Sequence, residues 1–366
     1  MRIFFICGAL ESGRDGVGDY TRRLAGELSR MGHGVAIVGI NDPFVTNELS
    51  EVQDADGVGI PVLRIPSAFD ADKRFKFLEK EIGLFAPDWI SLQFVPFSFH
   101  PKGLSLSFSA MLKQLVADYR FHIMFHELWV GINGRVKLKM AVLGIAQKIL
   151  IHRLLRQLKP DVITTSTTIY KRELARFPVE ILPLFSNVPL AKSNSCSEKD
   201  SVHFRAVHFG TFSAATAEFK LQIEFLTDAA QLANKELELL VFGEGGPFKN
   251  NALDAAKELI GADNVVDLGR LSFQDISCNL RAADVGISRA NYAFFGKSGS
   301  TLAMIEHGLP VILRGKNSDV DPKELAANRN QLFFFDCEAH GVLEKFPMRD
   351  GLKESAEIFT KMLNQV

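Results

Sequence analysis

Short apolar runs, rich in β-branched and aromatic residues, alternate with helical patterns along the whole chain. Between the first two runs, apolar residues recur at three- and four-residue steps, which places them on one side of a helix: Val17, Tyr20, Leu24, Leu28 and Met31. The first half is therefore predicted to form a parallel sheet covered on both faces by helices. Its predicted strands are residues 2–7, 35–40, 61–65, 88–93, 121–125 and 161–165.

The alternation is interrupted once, by a stretch with two prolines and several serines and asparagines, residues 183–200. We interpret this stretch as a linker. The pattern then restarts, with strands predicted at 202–209, 237–242, 264–268, 284–288 and 309–313 and helices at 217–233, 252–259, 273–282 and 299–307. The fold class predicted is α/β, with two doubly wound Rossmann-like domains facing a central cleft where ligands bind at the carboxyl ends of the strands.

The predicted domain boundaries follow from this interruption. The first domain is 1–185, the linker 186–200 and the second domain 201–350. The last segment, 351–366, is predicted as a C-terminal helix, and its return to the first domain is one option.

Composition narrows the choice of partners. The chain has 366 residues, and its 42 Lys and Arg against 43 Asp and Glu leave a formal charge of −1, which argues against a nucleic-acid partner. Four widely spaced cysteines without a CxxC pair are predicted to be free thiols in a reducing compartment. No run of about 18 apolar residues predicts a membrane span. We therefore expect a cytoplasmic protein, with peripheral attachment to the inner face of the membrane as an option.

Two glycine-rich turns follow predicted strands. The first leads from Gly8 into the first helix, where Gly16 and Gly18 let the backbone approach a ligand and the helix N-terminus favours an anion. Its spacing is not a dinucleotide fingerprint, and a turn without a ligand is the alternative. The second turn, 242–246, contains Gly243 and follows the strand at 237–242.

A third segment, 294–312, is the most informative. Lys297 and Ser298 precede a short helix that begins with Gly299, Ser300 and Thr301. A lysine, hydroxyl groups and a helix N-terminus together suit a diphosphate.

Two further features of this region need an interpretation. Gly296-Lys297-Ser298 resembles the end of a P-loop, but that motif needs a glycine where Asn291 stands, so an ATPase is not favoured. Arg289, at the end of the neighbouring strand, is another candidate for the ligand, and an exposed ion-pair partner is the alternative.

Three stretches resemble the GT-B glycosyltransferases of the large sugar-nucleotide-dependent group related to glycogen synthase. They are Asp15-Gly-Val-Gly-Asp-Tyr-Thr-Arg-Arg-Leu-Ala, then Asp88-Trp-Ile-Ser-Leu-Gln with Ile123-Met-Phe-His-Glu-Leu, and the region from Leu268-Gly-Arg to His307-Gly-Leu-Pro-Val-Ile. This resemblance covers nearly the whole chain. It implies a hexosyltransferase that moves a sugar from a nucleoside diphosphate sugar to a hydroxyl acceptor, with retention of configuration, in cell-envelope polysaccharide or glycolipid synthesis.

The resemblance also implies roles for residues. The second domain would bind the donor and the first the acceptor. His126 would lie near the transferred sugar, with Glu127 or Asp15 orienting the acceptor and Tyr20 lining its site. A structural role for His126 is the alternative.

The sequence departs from the family at the donor site. Many members carry two glutamates, at positions that correspond to Phe295 and Ala303 here. The family's basic pair is also incomplete, because the loop 210–214 has no arginine and Lys220 is the nearest cation. Lys297 would then neutralise the diphosphate, and neither a metal nor another cofactor is expected.

Residues 135–159 form a basic segment without an acidic residue, interleaved with aliphatic side chains. A basic amphipathic helix can lie on an anionic membrane. The alternative is a core helix with a solvated basic face.

Two other functions remain open. A sugar-nucleotide epimerase shares the two-domain architecture, but it would need acid and base carboxylates that the sequence does not identify. An inactive GT-B subunit that binds a partner transferase is the other alternative.

Overall fold

The computed structural model describes the chain except residues 105–106, 133, 135, 192–201, 215, 317–330 and 337–342. The chain forms two compact units. Unit 1 contains Met1–Pro183 together with Leu352–Val366, and unit 2 contains Leu184–Gly351. Each unit holds one mainly parallel sheet with helices on it, so the predicted α/β class with two Rossmann-like domains is confirmed.

Unit 1 contains an eight-stranded sheet in the order β3-β4-β2-β1-β5-β6-β7-β8. Its strands are β1 (Arg2–Cys7), β2 (Gly34–Asp42), β3 (Leu49–Ala55), β4 (Val58–Pro66), β5 (Trp89–Phe94), β6 (Arg120–Phe125), β7 (Val162–Thr165) and β8 (Val179–Ile181). All neighbours are parallel except β3, which pairs antiparallel with β4. The sequence patterns did not predict β3 and β8, because β3 is polar and mostly exposed and β8 has three residues.

The helices of unit 1 lie between its strands, and the last one comes from the C-terminus. They are α1 (Gly16–Arg30), α2 (Ala71–Phe85), α3 (Pro96–Phe99), α4 (Phe108–Val116), α5 (Leu138–Leu158) and α6 (Thr168–Glu173). The C-terminal helix, Gly351–Asn364, buries Phe359 against Phe5 of β1 and His122 of β6, with ring centroids 6.1 and 4.9 Å apart. Apolar burial therefore fastens the chain terminus to the first sheet.

Unit 2 contains a six-stranded parallel sheet in the order β11-β10-β9-β12-β13-β14. Its strands are β9 (His203–Thr211), β10 (Glu236–Gly245), β11 (Val265–Gly269), β12 (Val285–Asn291), β13 (Val311–Arg314) and β14 (Leu332–Phe333). The helices in the described part of unit 2 are α7 (Thr216–Leu232), α8 (Lys249–Ile260), α9 (Phe273–Ala282) and α10 (Gly299–Glu306). The C-terminal helix of unit 1 is numbered α11. The carboxyl ends of β9, β10 and β12 lie at one edge, because these strands are parallel neighbours.

The segment that opens unit 2 packs against the second sheet instead of running free. Val188 is buried in the core of unit 2. The backbone N–H of Ser186 donates to the buried Glu306 at 2.8 Å, and that of Ala191 donates to Ser277 Oγ at 2.8 Å. The start of the predicted linker is therefore an ordered segment packed on unit 2. Residues 192–200 of the predicted linker lie outside the described part of the chain.

The structure changes two expectations: that all four cysteines are free thiols, and that the outer face of the basic segment is only basic. Cys7 is a free, buried thiol, but Cys278 is disulfide-bonded, so the expectation of four free thiols is wrong. The basic segment does form a long helix, α5, yet its outward side carries aliphatic side chains. No helix in the described part of the chain is long and apolar enough to cross a bilayer.

Candidate functional site

The glycine-rich turn after β1 is held in place by buried charges. Asp42, at the end of β2, has no exposed surface and accepts hydrogen bonds from the Leu10 N–H at 3.0 Å and from Arg64 Nε at 2.8 Å. Arg64 also pairs with Glu11 in the same turn, at 2.5 Å. Together these carboxylates raise the pKa of Arg64, so the turn is fixed at the carboxyl edge of the first sheet.

Helix α1 begins directly at this turn. Asp15 is its N-cap, and its carboxylate accepts a hydrogen bond from the Gly18 N–H at 2.7 Å. Burial is the main cause of the raised pKa of Asp15. A Cβ atom on Gly18 would lie 2.5 Å from the carbonyl oxygen of Ala9, so only glycine permits this close approach. Gly16, in the same first turn, is exposed, and no atom beyond its chain neighbours and its helix's own backbone lies within 4 Å of where its Cβ would be.

Tyr20 and His126 are packed together beside the start of α1. Their rings meet edge to face with centroids 5.0 Å apart, and both side chains are buried. The Tyr20 hydroxyl lies 3.7 Å from Met124 Sδ, and burial raises its pKa. Glu127, the next residue, is exposed. Unit 1 thus places Tyr20, which lies in the helix that Asp15 caps, against His126.

A buried chain of hydrogen bonds orients His126. His126 Nε2 donates to Gln93 Oε1, and Gln93 Nε2 donates to Ser91 Oγ, both at 2.8 Å. The Ser91 proton is then left for Nδ1 of His122, whose Nε2 donates to Thr164 Oγ1, again at 2.8 Å each. The amide of Gln93 therefore fixes the orientation of the His126 ring through Nε2. Gln93 was not predicted as a site residue, although a glutamine inside an apolar strand indicates a specific polar contact.

In unit 2, hydroxyl groups lock the start of α10 onto the sheet. Ser298 is the N-cap, and its Oγ accepts the Thr301 N–H at 3.3 Å. Thr301 Oγ1 lies 2.8 Å from Ser298 Oγ and 2.6 Å from the Oγ of Ser288, in β12. Thr301 has no exposed surface, so its side chain holds the helix and does not face solvent.

Glycines let this helix approach two strand ends. Gly210 at the end of β9 has φ +108°, and a Cβ atom there would lie 3.4 Å from Ser300 Oγ. Gly243 at the end of β10 has φ +98°, and its Cβ would lie 3.3 Å from Gly210. Both conformations disfavour other residues. Gly243, Ser300 and the exposed Gly299 are thus brought together at the carboxyl edge of the second sheet.

The predicted cations of unit 2 are distributed around this edge. Lys297 is half-buried at the end of the 3-10 turn Phe295–Lys297, immediately before the Ser298 cap. Arg289 is exposed after Ser288 and lines a pocket with Arg314 and Glu218.

Lys220 takes a different position. Its Nζ donates to Glu258 at 2.9 Å, in an exposed ion pair between α7 and α8.

Two basic residues near the edge were missed by the sequence analysis. Lys249 Nζ lies 2.7 Å from Asp267 and 3.4 Å from the carbonyl oxygen of Gly243, under the second glycine turn. His208 is buried at the same pocket as Arg289, and burial is the main cause of its pKa, lowered to about 4. The positions of both residues depend on how the strands pair, and residue spacing alone did not predict that pairing.

Solved structures with a similar fold include glycosyltransferases and a UDP-GlcNAc epimerase. No family model and no curated protein matches the sequence. A glycosyltransferase from Rickettsia africae matches with TM-score 0.54 and 13% identity over 99% of this chain and 88% of its own. The lipopolysaccharide outer core galactosyltransferase WaaB matches with TM-score 0.51 and 13% identity, over 100% and 99%. The UDP-GlcNAc 2-epimerase from Methanocaldococcus jannaschii matches with TM-score 0.52 and 10% identity, over the full length of both chains. This chain therefore shares the two-domain fold of GT-B glycosyltransferases.

Proposed function

We propose that the protein is a glycosyltransferase that moves a sugar from a nucleoside diphosphate sugar to a hydroxyl acceptor. The observation that carries the proposal is the start of α10, where Ser298 and Thr301 fix the helix over the glycines that end β9 and β10. A helix N-terminus presents N–H groups and a positive dipole end to an anion. The fold is also shared by a UDP-GlcNAc 2-epimerase and by the protein HepE, whose structure contains UDP.

The chemistry at this edge is mainly the stabilisation of charge. When the glycosidic bond of the donor breaks, negative charge grows on the departing diphosphate. The N–H groups of Gly299 and Ser300 would bind that diphosphate, with the Ser300 hydroxyl beside them. Lys297 and Arg289 would supply positive charge, so we expect no metal requirement.

The acceptor is proposed to bind to unit 1. There the His126 ring, held by Gln93, would present Nδ1 near the transferred sugar, while Asp15 and the exposed Glu127 orient the acceptor hydroxyl. Asp15 already caps α1, so its carboxylate would act from a fixed position. We propose that the configuration of the transferred sugar is retained. We also propose an acceptor in envelope polysaccharide or glycolipid synthesis, and this second proposal is supported by the similarity in fold to the lipopolysaccharide outer core galactosyltransferase WaaB.

Nucleotide binding is the direct test. A thermal-shift screen with UDP, GDP and ADP should find one that stabilises the protein by about 2.7 kcal/mol at 100 times its dissociation constant. Lys297→Ala should weaken binding of that nucleotide in calorimetry. Lys235→Ala is the matched control, because Lys235 precedes β10 at the opposite edge of the sheet. Lys220→Ala decides whether that lysine contributes despite its ion pair with Glu258.

Product analysis separates the alternatives. Release of the nucleoside diphosphate together with a transferred or hydrolysed sugar supports the transferase. A changed sugar nucleotide, with the diphosphate linkage intact, would identify an epimerase. Nucleotide binding without turnover of any donor would favour an inactive partner subunit.

A further inference from the structure

Helix α5 exposes a row of aliphatic side chains. Leu138, Val142, Ile145 and Ile149 are 83%, 59%, 61% and 62% exposed. They follow one another at steps of four, three and four residues, so they lie on one side of the helix along about 17 Å. Single exposed aliphatic residues are common, but a contiguous apolar patch on a surface marks an interaction site.

The opposite side of α5 prevents the row from turning inward. Gln147 is fully buried, with Oε1 accepting the Val130 N–H and Nε2 donating to the Lys102 carbonyl oxygen, both at 2.9 Å. A Cβ atom on Gly144 would lie 2.1 Å from the Val130 carbonyl oxygen. The helix is therefore packed closely in one rotation, with the aliphatic row outward.

Positive charge lies at the C-terminal end of the row, while Lys148 at its flank is paired with Glu173. Arg153 and Arg156 are exposed and continue the same side of the helix towards its C-terminus. The whole segment 135–159 has no acidic residue. An aliphatic strip with cations at its end complements an anionic lipid surface, where acyl chains cover the strip and phosphates meet the cations. Self-association would instead bring like charges together.

We propose that α5 is a membrane-docking surface that lies in the plane of an anionic bilayer, with the aliphatic row inserted at the boundary between headgroups and acyl chains. The contact is peripheral, because half of the helix circumference remains packed on unit 1. This proposal does not depend on the transferase activity, since it concerns a surface formed by α5 alone.

Vesicle flotation tests the proposal with the full chain. The wild-type protein should float with phosphatidylcholine vesicles that contain about a third phosphatidylglycerol, and should remain behind with phosphatidylcholine alone. Ile145→Gln with Ile149→Gln should lower the partition coefficient at least tenfold. Arg153→Gln with Arg156→Gln should lower it about fivefold for each charge removed.

Matched controls exclude trivial explanations. Leu84→Gln changes a side chain that is 69% exposed on α2 and should leave partition unchanged. All changed positions are exposed, so circular dichroism should match the wild type. Equal flotation with neutral and anionic vesicles would overturn the proposal. So would unchanged flotation of the isoleucine variant, or sedimentation showing that the isoleucines hold a dimer together while vesicle binding persists.

Discussion

Acid should destabilise unit 1 through the buried His122. Its ring is enclosed by Ser91, Thr164 and Phe359 and has no exposed surface. Burial, aided by the nearby His126, lowers the pKa of His122 from 6.5 to about 3. The folded state therefore keeps the ring neutral at a pH where the unfolded state takes up a proton.

The sign and size of the effect follow from proton linkage. Below pH 6.5 the unfolded state binds one proton more than the folded state. The contribution of His122 to the free energy of unfolding is therefore fully present above that pH and is lost as the pH falls towards about 3. At about 1.36 kcal/mol per pH unit, this one group removes about 2 kcal/mol between pH 7 and pH 5.

Tryptophan fluorescence during urea unfolding measures unit 1 alone. The chain has two tryptophans, Trp89 and Trp129, and both belong to unit 1. His122→Gln keeps a donor and an acceptor but does not titrate, so its stability should fall by about 2 kcal/mol less than the wild type between pH 7 and pH 5. His208→Phe, in unit 2, is the control and should leave this signal's pH dependence unchanged. An unaltered pH dependence in His122→Gln would refute the reasoning.

Three substitutions test the packing around the proposed sites. Thr301→Val removes one hydrogen bond from Ser288 and one from Ser298 and should destabilise unit 2 by about 1 kcal/mol, seen as faster hydrogen exchange in residues 202–314. Gly18→Ala would press a methyl group against the Ala9 carbonyl oxygen and should lower the urea midpoint of the tryptophan signal. Glu306→Ala removes the acceptor of the Ser186 N–H and should increase proteolysis near residue 186, whereas Glu306→Gln keeps an acceptor and should restore protection.

The apolar pattern predicted the central elements because burial on both faces determines their composition. Helix α9 has the predicted limits, 273–282, and β1 has the predicted 2–7. Edge strands lack that signature. β3 alternates polar residues on an exposed edge, and β14 has two residues, so neither could be distinguished from a loop.

The candidate site was predictable where it depends on local sequence. The helix start at Gly299 and the glycine-rich turn before α1 could be predicted because caps and glycines act within a few residues. The bond between Thr301 and Ser288 spans 13 residues, and the chain from His126 to Thr164 needs the order β5-β6-β7. Spacing along the sequence does not contain that information.

The structure explains why Phe295 and Ala303, the positions where the resemblance would expect glutamates, carry apolar side chains. Ala303 has no exposed surface and lies in the core beside β13, while Phe295 packs on Tyr292 with ring centroids 5.5 Å apart. A glutamate at position 303 would bury a carboxylate among apolar side chains, which costs several kcal/mol unless a cation is buried with it. At position 303, a single substitution therefore cannot introduce a carboxylate without loss of stability. Recognition of the donor sugar would have to come from backbone groups and from Lys297, Arg289 and Ser300 around the start of α10.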